Sequence, residues 1–187
     1  WGVKPDDGPI VVTGAAGGVG TVAIMLLAKL GYKVTASTGR VEEARSLLEA
    51  LGAQEIIARD QLARDPGPLE AETWAGAVDT VGDNTLASVL AQTRYEGIVA
   101  ACGLAGSTNL PTSVMPFILR GVTLRGIDSV MAPLARRQRA WDSLAELVNL
   151  DLLRQIYSVE PLSKVPQLAS DILAGKIKGR VVIDVNA

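Results

Sequence analysis

VTGAAGGVG, residues Val12–Gly20, packs four glycines and two alanines into nine residues. An apolar β-branched run, PIVVT (Pro9–Thr13), leads into it. After it, Val22, Ala23, Leu26, Leu27 and Leu30 recur at helical spacing until Gly31. A glycine-rich turn between a strand and a helix is the setting of the dinucleotide fingerprint G-x-G-x-x-G. Here it takes the form Ala15-x-Gly17-x-x-Gly20, with extra glycines at Gly14 and Gly18. Gly17 and Gly18 let backbone approach a pyrophosphate, and Gly20 lets the helix press on the sheet. The phosphates would then face unpaired N–H groups at the positive end of the helix dipole. A tight turn without a ligand is the competing reading, and the rest of the chain decides between them.

The alternation continues. KVTAS (Lys33–Ser37) reads as a second strand, a helix carries Ala44, Leu47, Leu48 and Leu51 on one face, and EIIA (Glu55–Ala58) is a third strand. Asp60–Pro68, with two prolines and a glycine, reads as a loop. GAVDTVG (Gly76–Gly82), GIVAACG (Gly97–Gly103) and VTLRGI (Val122–Ile127) supply three more strands, with a short helix through Leu86, Val89 and Leu90. Strand–helix alternation predicts right-handed crossovers and a parallel sheet covered on both faces. The expected fold is α/β, a doubly wound, Rossmann-like sheet of six strands in two halves of three. In that setting the phosphate cradle is favoured over the bare turn. Beyond about Pro133 the rhythm changes: a charged helix (Arg136–Val148), a mixed segment, a helix through Leu168, Ile172 and Leu173, then RVVIDV (Arg180–Val185). That last strand has no evident slot in the six-stranded sheet. The expected division is residues 4–132 as the cofactor domain and 133–187 as part of an incomplete second domain.

Composition narrows the chemistry. The 187 residues are 48% hydrophobic, enough for a core, and no apolar run reaches the roughly 18–20 residues of a membrane span. A net charge of −2 with mixed signs argues against a nucleic-acid surface. One cysteine, Cys102, excludes an internal disulfide or a cysteine-based zinc site, and no secretory signal is visible, so a cytoplasmic location is expected. With no histidine there is no Ser–His relay, no common zinc ligand set and no imidazole base. Cofactor chemistry is what remains.

The end of the second strand carries a second signal. An NAD-specific site places Asp or Glu there for the ribose hydroxyls. This chain has Ser37, Thr38, Gly39 and Arg40 instead. A guanidinium offers planar, charge-assisted hydrogen bonds to a 2′-phosphate, so NADPH is the expected cofactor. Arg40 as a solvated charge starting the next helix is the alternative. Asp79 and Asp128, at strand ends, are expected to cap turns rather than catalyse. Cys102 is expected to be a small buried filler.

VVTGAAGGVG, STGR, WAGAVDTVGD, VAACGLAG, MPFILRGVTLRGIDSVM and IKGRVVIDV together resemble the medium-chain dehydrogenase/reductase superfamily. They are most similar to its zinc-independent, quinone-oxidoreductase-like branch, and within that to the bacterial acrylyl-CoA reductase group. The resemblance runs over nearly the whole chain. It implies an NADPH enzyme that transfers hydride to the β-carbon of an α,β-unsaturated acyl-CoA, converting acryloyl-CoA to propionyl-CoA. A quinone reductase and a non-catalytic NADPH-binding module are the alternatives. It also implies an N-terminal GroES-like catalytic domain that this chain lacks, a homodimer for the full-length protein, an inactive fragment, and a Trp1 foreign to the natural sequence. Carried over, Ala16, Gly17, Gly18 and Val19 cradle the pyrophosphate, while Thr38, Gly39 and Arg40 hold the 2′-phosphate. Arg59 flanks the adenosine end, with a surface ion pair as its alternative. Leu104, Ile118 and Ser129 lie near the nicotinamide half, with a core role as the alternative for Ile118. No metal ligand and no catalytic residue is assigned. Tyr32, Tyr95 and Tyr157 are proton-donor candidates by chemistry alone.

Overall fold

Val11 and Val12 are adjacent, wholly buried, and point to opposite faces of one strand, so both faces must be covered. The computed structural model describes residues 2–187 and shows how; the expectation for Trp1 lies outside the described residues. Six strands form one parallel sheet: β1 (Ile10–Val12), β2 (Val34–Thr38), β3 (Glu55–Ala58), β4 (Trp74–Asp79), β5 (Thr93–Ala101) and β6 (Thr123–Gly126). Their order is β3-β2-β1-β4-β5-β6. The winding reverses between β1 and β4, which opens a crevice beyond their carboxyl ends.

Helices α1 (Gly18–Lys29), α2 (Val41–Ala50), α3 (Asp83–Gln92) and α4 (Met115–Arg120) connect the strands. Val12 joins Ile24, Met25 and Leu48 in a core on one face. Val11 joins Trp74, Val89, Leu90 and Val99 in a core on the other. Six parallel strands with helices on both faces match the expected architecture.

The C-terminal part holds α5 (Leu134–Leu147), α6 (Leu150–Ile156), β7 (Tyr157–Pro161), α7 (Val165–Leu173) and β8 (Arg180–Asp184). β8 stays out of the main sheet and pairs in parallel with β7. Two elements here escaped the sequence pattern, α6 and β7. Asn149 caps α6, its side chain accepting from the amides of Asp151 at 2.9 Å and Leu152 at 3.1 Å. Ile156 of α6 is buried in the first core, with Leu152 and Leu153 against it. The segment therefore does not stand wholly apart from the cofactor fold. α5, by contrast, buries no residue.

The expected loop at Asp60–Pro68 begins with a 3-10 turn, Arg59–Gln61, and is clamped at its far side. Arg64 donates to both carboxylate oxygens of Glu70, and Gln92 and the Gly67 amide donate to the same group. The Arg64 guanidinium, more than offsetting partial burial, holds the Glu70 carboxyl at about 2 against an ordinary 4.5. A depressed carboxyl contributes stability that is present above the unfolded value and lost as pH falls through the folded one. Glu70→Gln is thus expected to be less stable than wild type at pH 7, with the gap closing from about pH 4.5 toward pH 2. Urea unfolding at several pH values reads it, and a pH-independent gap would contradict it.

Candidate functional site

Beyond the carboxyl ends of β1, β2 and β4 lies a cleft of about 640 Å³. Its floor is the glycine turn. Glycine is required there by approach distance: a Cβ on Gly20 would lie 2.5 Å from Gly14 O and 2.8 Å from Ala15 Cα. The Gly17 amide closes the turn by donating to Gly14 O at 2.9 Å, and α1 starts at Gly18 with no side-chain cap and no acidic residue in its first turn. The first-turn amides have no partner within the helix, and nothing local offsets the positive dipole end. The cradle fits an anionic phosphate.

Asp79 holds this floor in place. Its carboxylate is fully buried and accepts from the Thr13 hydroxyl at 2.6 Å and the Gly82 amide at 2.8 Å, with Val81 N at 3.3 Å. Burial pushes the Asp79 carboxyl above its ordinary value, and the Thr13, Gly82 and Val81 hydrogen bonds oppose that rise. Thr80 adds a second tie, its hydroxyl donating to Thr13 O at 3.0 Å. The ends of β1 and β4 are thereby locked together beneath the cradle. Cys102, half-buried, donates to Asp79 O, and burial followed by the nearby Asp79 charge pushes its thiol up, which leaves it a poor nucleophile. Asp128 caps an exposed turn, accepting from the amides of Val130 and Met131.

The far end of the cleft is cationic. Arg59 lies over Gly39 so closely that a Cβ there would sit 2.9 Å from its Cζ. Arg40 flanks the same glycine on the chain's other side, and its amide donates to Thr38 Oγ1 at 3.2 Å. The Arg40 guanidinium is not a free solvated charge: it donates to the carbonyls of Gly175 and Ile177, both at 2.8 Å. Arg59 makes only a loose pair with Asp60 at 4.0 Å.

Of the eleven site residues expected from sequence, Ala16, Gly17, Thr38, Gly39, Arg40 and Arg59 line this one cleft. Gly18 and Val19 form the first turn of α1 beside it. Leu104, Ile118 and Ser129 lie outside the cleft and are exposed. At 73% exposure, Ile118 is no core residue. Tyr32 donates to Val3 O at 2.9 Å, and none of Tyr32, Tyr95 and Tyr157 lines the cleft. Sequence reasoning missed Arg180 and the strand-free segment Ala174–Lys178. Arg180 covers Gly18, where a Cβ would meet its Nη2 at 2.6 Å. A lone arginine one residue after a glycine, at the start of a strand, was the available signal. Among the described residues no group of three or more His, Cys, Asp or Glu could hold a metal ion.

A parallel sheet in this order, a glycine cradle at its switch point and a basic pocket at the end of β2 define a dinucleotide-binding α/β unit. The chain belongs to the zinc-binding dehydrogenase family, whose model matches residues 18–148. It is 54% identical over 187 residues to acrylyl-CoA reductase AcuI of Ruegeria pomeroyi, covering all of this chain and 56% of that protein. The Escherichia coli K-12 YhdH structure with bound NADPH is 52% identical, with a TM-score of 0.95 over 98% of this chain and 56% of that one. Bacillus subtilis yhfP with NAD bound is 43% identical, with a TM-score of 0.91 over the same shares. The chain thus spans about half the length of the relatives it matches.

Proposed function

We propose that this chain is the NADPH-holding portion of a reductase acting on an α,β-unsaturated acyl-CoA, acryloyl-CoA being the favoured substrate. The observation that carries the cofactor choice is the pair of arginines around Gly39, in a cleft end lined by Ser37 and Thr38 where an NAD site would place an acid. Relatives bound to NADPH and to NAD share this fold, so the preference rests on these residues rather than on resemblance. The acyl-CoA substrate is supported by the name of the Ruegeria relative.

In this reading the amides around Ala16, Gly17, Gly18 and Val19 neutralise the pyrophosphate. Thr38, Gly39 and Arg40 hold the 2′-phosphate, and Arg59 lies along the adenosine. Leu104, Ile118 and Ser129 border the nicotinamide half on the open side of the molecule. When bound, NADPH supplies a hydride to the substrate's β-carbon. The α-carbon then takes a proton, and the oxygen of the developing enolate needs donors. None of Tyr32, Tyr95 and Tyr157 lines the cleft, and no residue is assigned as that donor.

In the same proposal residues 4–132 supply most of the grip on the reductant, Ala174–Lys178 adds a wall to its cleft, and other parts of residues 133–187 pack on a catalytic domain of the full-length protein, a cytoplasmic homodimer. The apolar side chains left bare on Leu134, Trp141 and Leu173 support such a partner surface. A second reading, a quinone reductase, is favoured by the Bacillus subtilis relative YhfP, 44% identical and provisionally named a quinone oxidoreductase.

Two measurements test the proposal. Arg40→Ala is expected to weaken NADPH by about 10- to 100-fold, the worth of charged hydrogen bonds, while NADH changes far less. Tryptophan-fluorescence titration reads both, and equal losses would refute the 2′-phosphate role. Acryloyl-CoA turnover is expected from the full-length protein and not from these 187 residues; robust turnover by this chain alone would overturn the division.

A further inference from the structure

Arg40 reaches carbonyls 135 and 137 residues further along the chain. Its Nη1 donates to Gly175 O and its Nη2 to Ile177 O, each at 2.8 Å. Both carbonyls belong to the strap Ala174–Lys178, which joins α7 to β8 without regular structure and forms one wall of the cleft. The strap is pinned at its other end too. The Gly179 amide donates to Ala16 O at 2.9 Å, inside the cradle, and Lys178 Nζ reaches Glu43 O at 3.2 Å and Glu43 Oε2 at 3.6 Å.

A guanidinium has five N–H donors in a rigid fork, and the strap engages two of its nitrogens through single carbonyls. Donors remain for a second, anionic partner in the cleft that Arg40 lines. We infer that Arg40 is a clasp: resting on the 2′-phosphate reading above, the phosphate fixes the guanidinium, and the fixed guanidinium fixes the strap. A nucleotide with a bare 2′-hydroxyl offers no charge to fix it and adds nothing through Arg40 to the contacts the strap already makes. The phosphorylated cofactor is therefore coupled to the β7–β8 ribbon, because the strap runs straight into β8. By linkage the coupling is reciprocal, so a docked strap also sharpens the preference for the phosphorylated cofactor. Arg40 is then a positioning residue as well as a ligand.

Amide hydrogen exchange on the whole chain tests this at saturating NADPH and saturating NADH. The reporters are Lys176, whose amide donates to Asp171 O, and Gly179, both at 2.9 Å. NADPH is expected to slow their exchange at least about fivefold more than NADH does, the lower end of typical coupling. Arg40→Ala and Arg40→Lys are both expected to erase that difference, because an ammonium cannot bridge two carbonyls and a phosphate in one plane. Unchanged protection of the β1 and β4 amides verifies that the variants fold. Equal slowing by the two nucleotides overturns the clasp, as does faster exchange with NADPH or a lysine variant that keeps the difference. Equal affinity for NADPH and NADH would instead sink the 2′-phosphate reading, which separates the two failures.

Discussion

Gly20→Ala is expected to cost about 3 kcal/mol of stability, the upper part of the overpacking range, and to abolish measurable nucleotide binding. Alanine adds one methyl, but the three nearest atoms it would meet are all backbone: Gly14 O at 2.5 Å, Ala15 Cα at 2.8 Å and Ala15 O at 2.9 Å. A flexible side chain could swing aside; a turn cannot. Either α1 lifts off β1 or the turn opens, and both displace the amides that make the cradle. In a chain of this size the loss corresponds to about 6–12 °C in Tm. Gly126→Ala is the matched control, since its Cβ would meet nothing within 4 Å, and it should change stability by no more than about 0.5 kcal/mol. A Gly20→Ala protein that melts like wild type would show that the helix–strand approach is set elsewhere.

The glycine turn was legible because its constraint is local: strand, turn and helix are contiguous, and each leaves its own period in the sequence. β3 was readable to the residue, Glu55–Ala58, for the same reason. β7 was not. Tyr157, Ser158 and Val159 are all exposed, so no alternation between buried and polar positions marks the strand. α6 left a usable signal in Asn149, the N-cap before Leu150, but its short span hid the helical period.

The site divides along the same line. Gly17, Gly39 and Arg40 could be picked out by their distance from one motif. The contacts of Arg40 with Gly175 and Ile177, and of Arg180 with Gly18, join parts of the chain far apart in sequence. Nothing in either stretch announces the other. Arg40 illustrates the difference: its charge was evident, but its engagement by two carbonyls was not. The exposed apolar residues follow the same logic in reverse. Ile118 is expected as a neighbour of the nicotinamide half, with core as its alternative, and it is bare in this chain. Apolar character reports a need for burial, and the partner surface that meets the need can lie in another part of a longer protein.

Asp79→Ala is expected to be the costliest change away from the turn itself, at about 3 kcal/mol, with NADPH binding weakened as well. Thr13 and Asp79 are both wholly buried, and the carboxylate is the acceptor for the Thr13 hydroxyl and the Gly82 amide. Truncation leaves those donors without an acceptor in a place too dry to supply one, and an unmet buried donor costs about 1–3 kcal/mol. The loss reaches the cradle because Thr13 immediately precedes Gly14, and Thr80 hangs from the same residue. Asp79→Asn separates shape from charge. Its amide can accept on one side only, so a smaller deficit is expected. The pH dependence should run opposite to that of Glu70. A carboxyl held above its ordinary value contributes stability that is full at acid pH and lost as pH rises through the folded value. The asparagine variant has no such loss, so its deficit against wild type should shrink from acid toward neutral pH. Urea unfolding across that range decides the matter. A deficit that grows with pH would mean that the buried carboxylate stabilises the fold as an anion, and that the hydrogen bonds of Thr13, Val81 and Gly82 outweigh its burial.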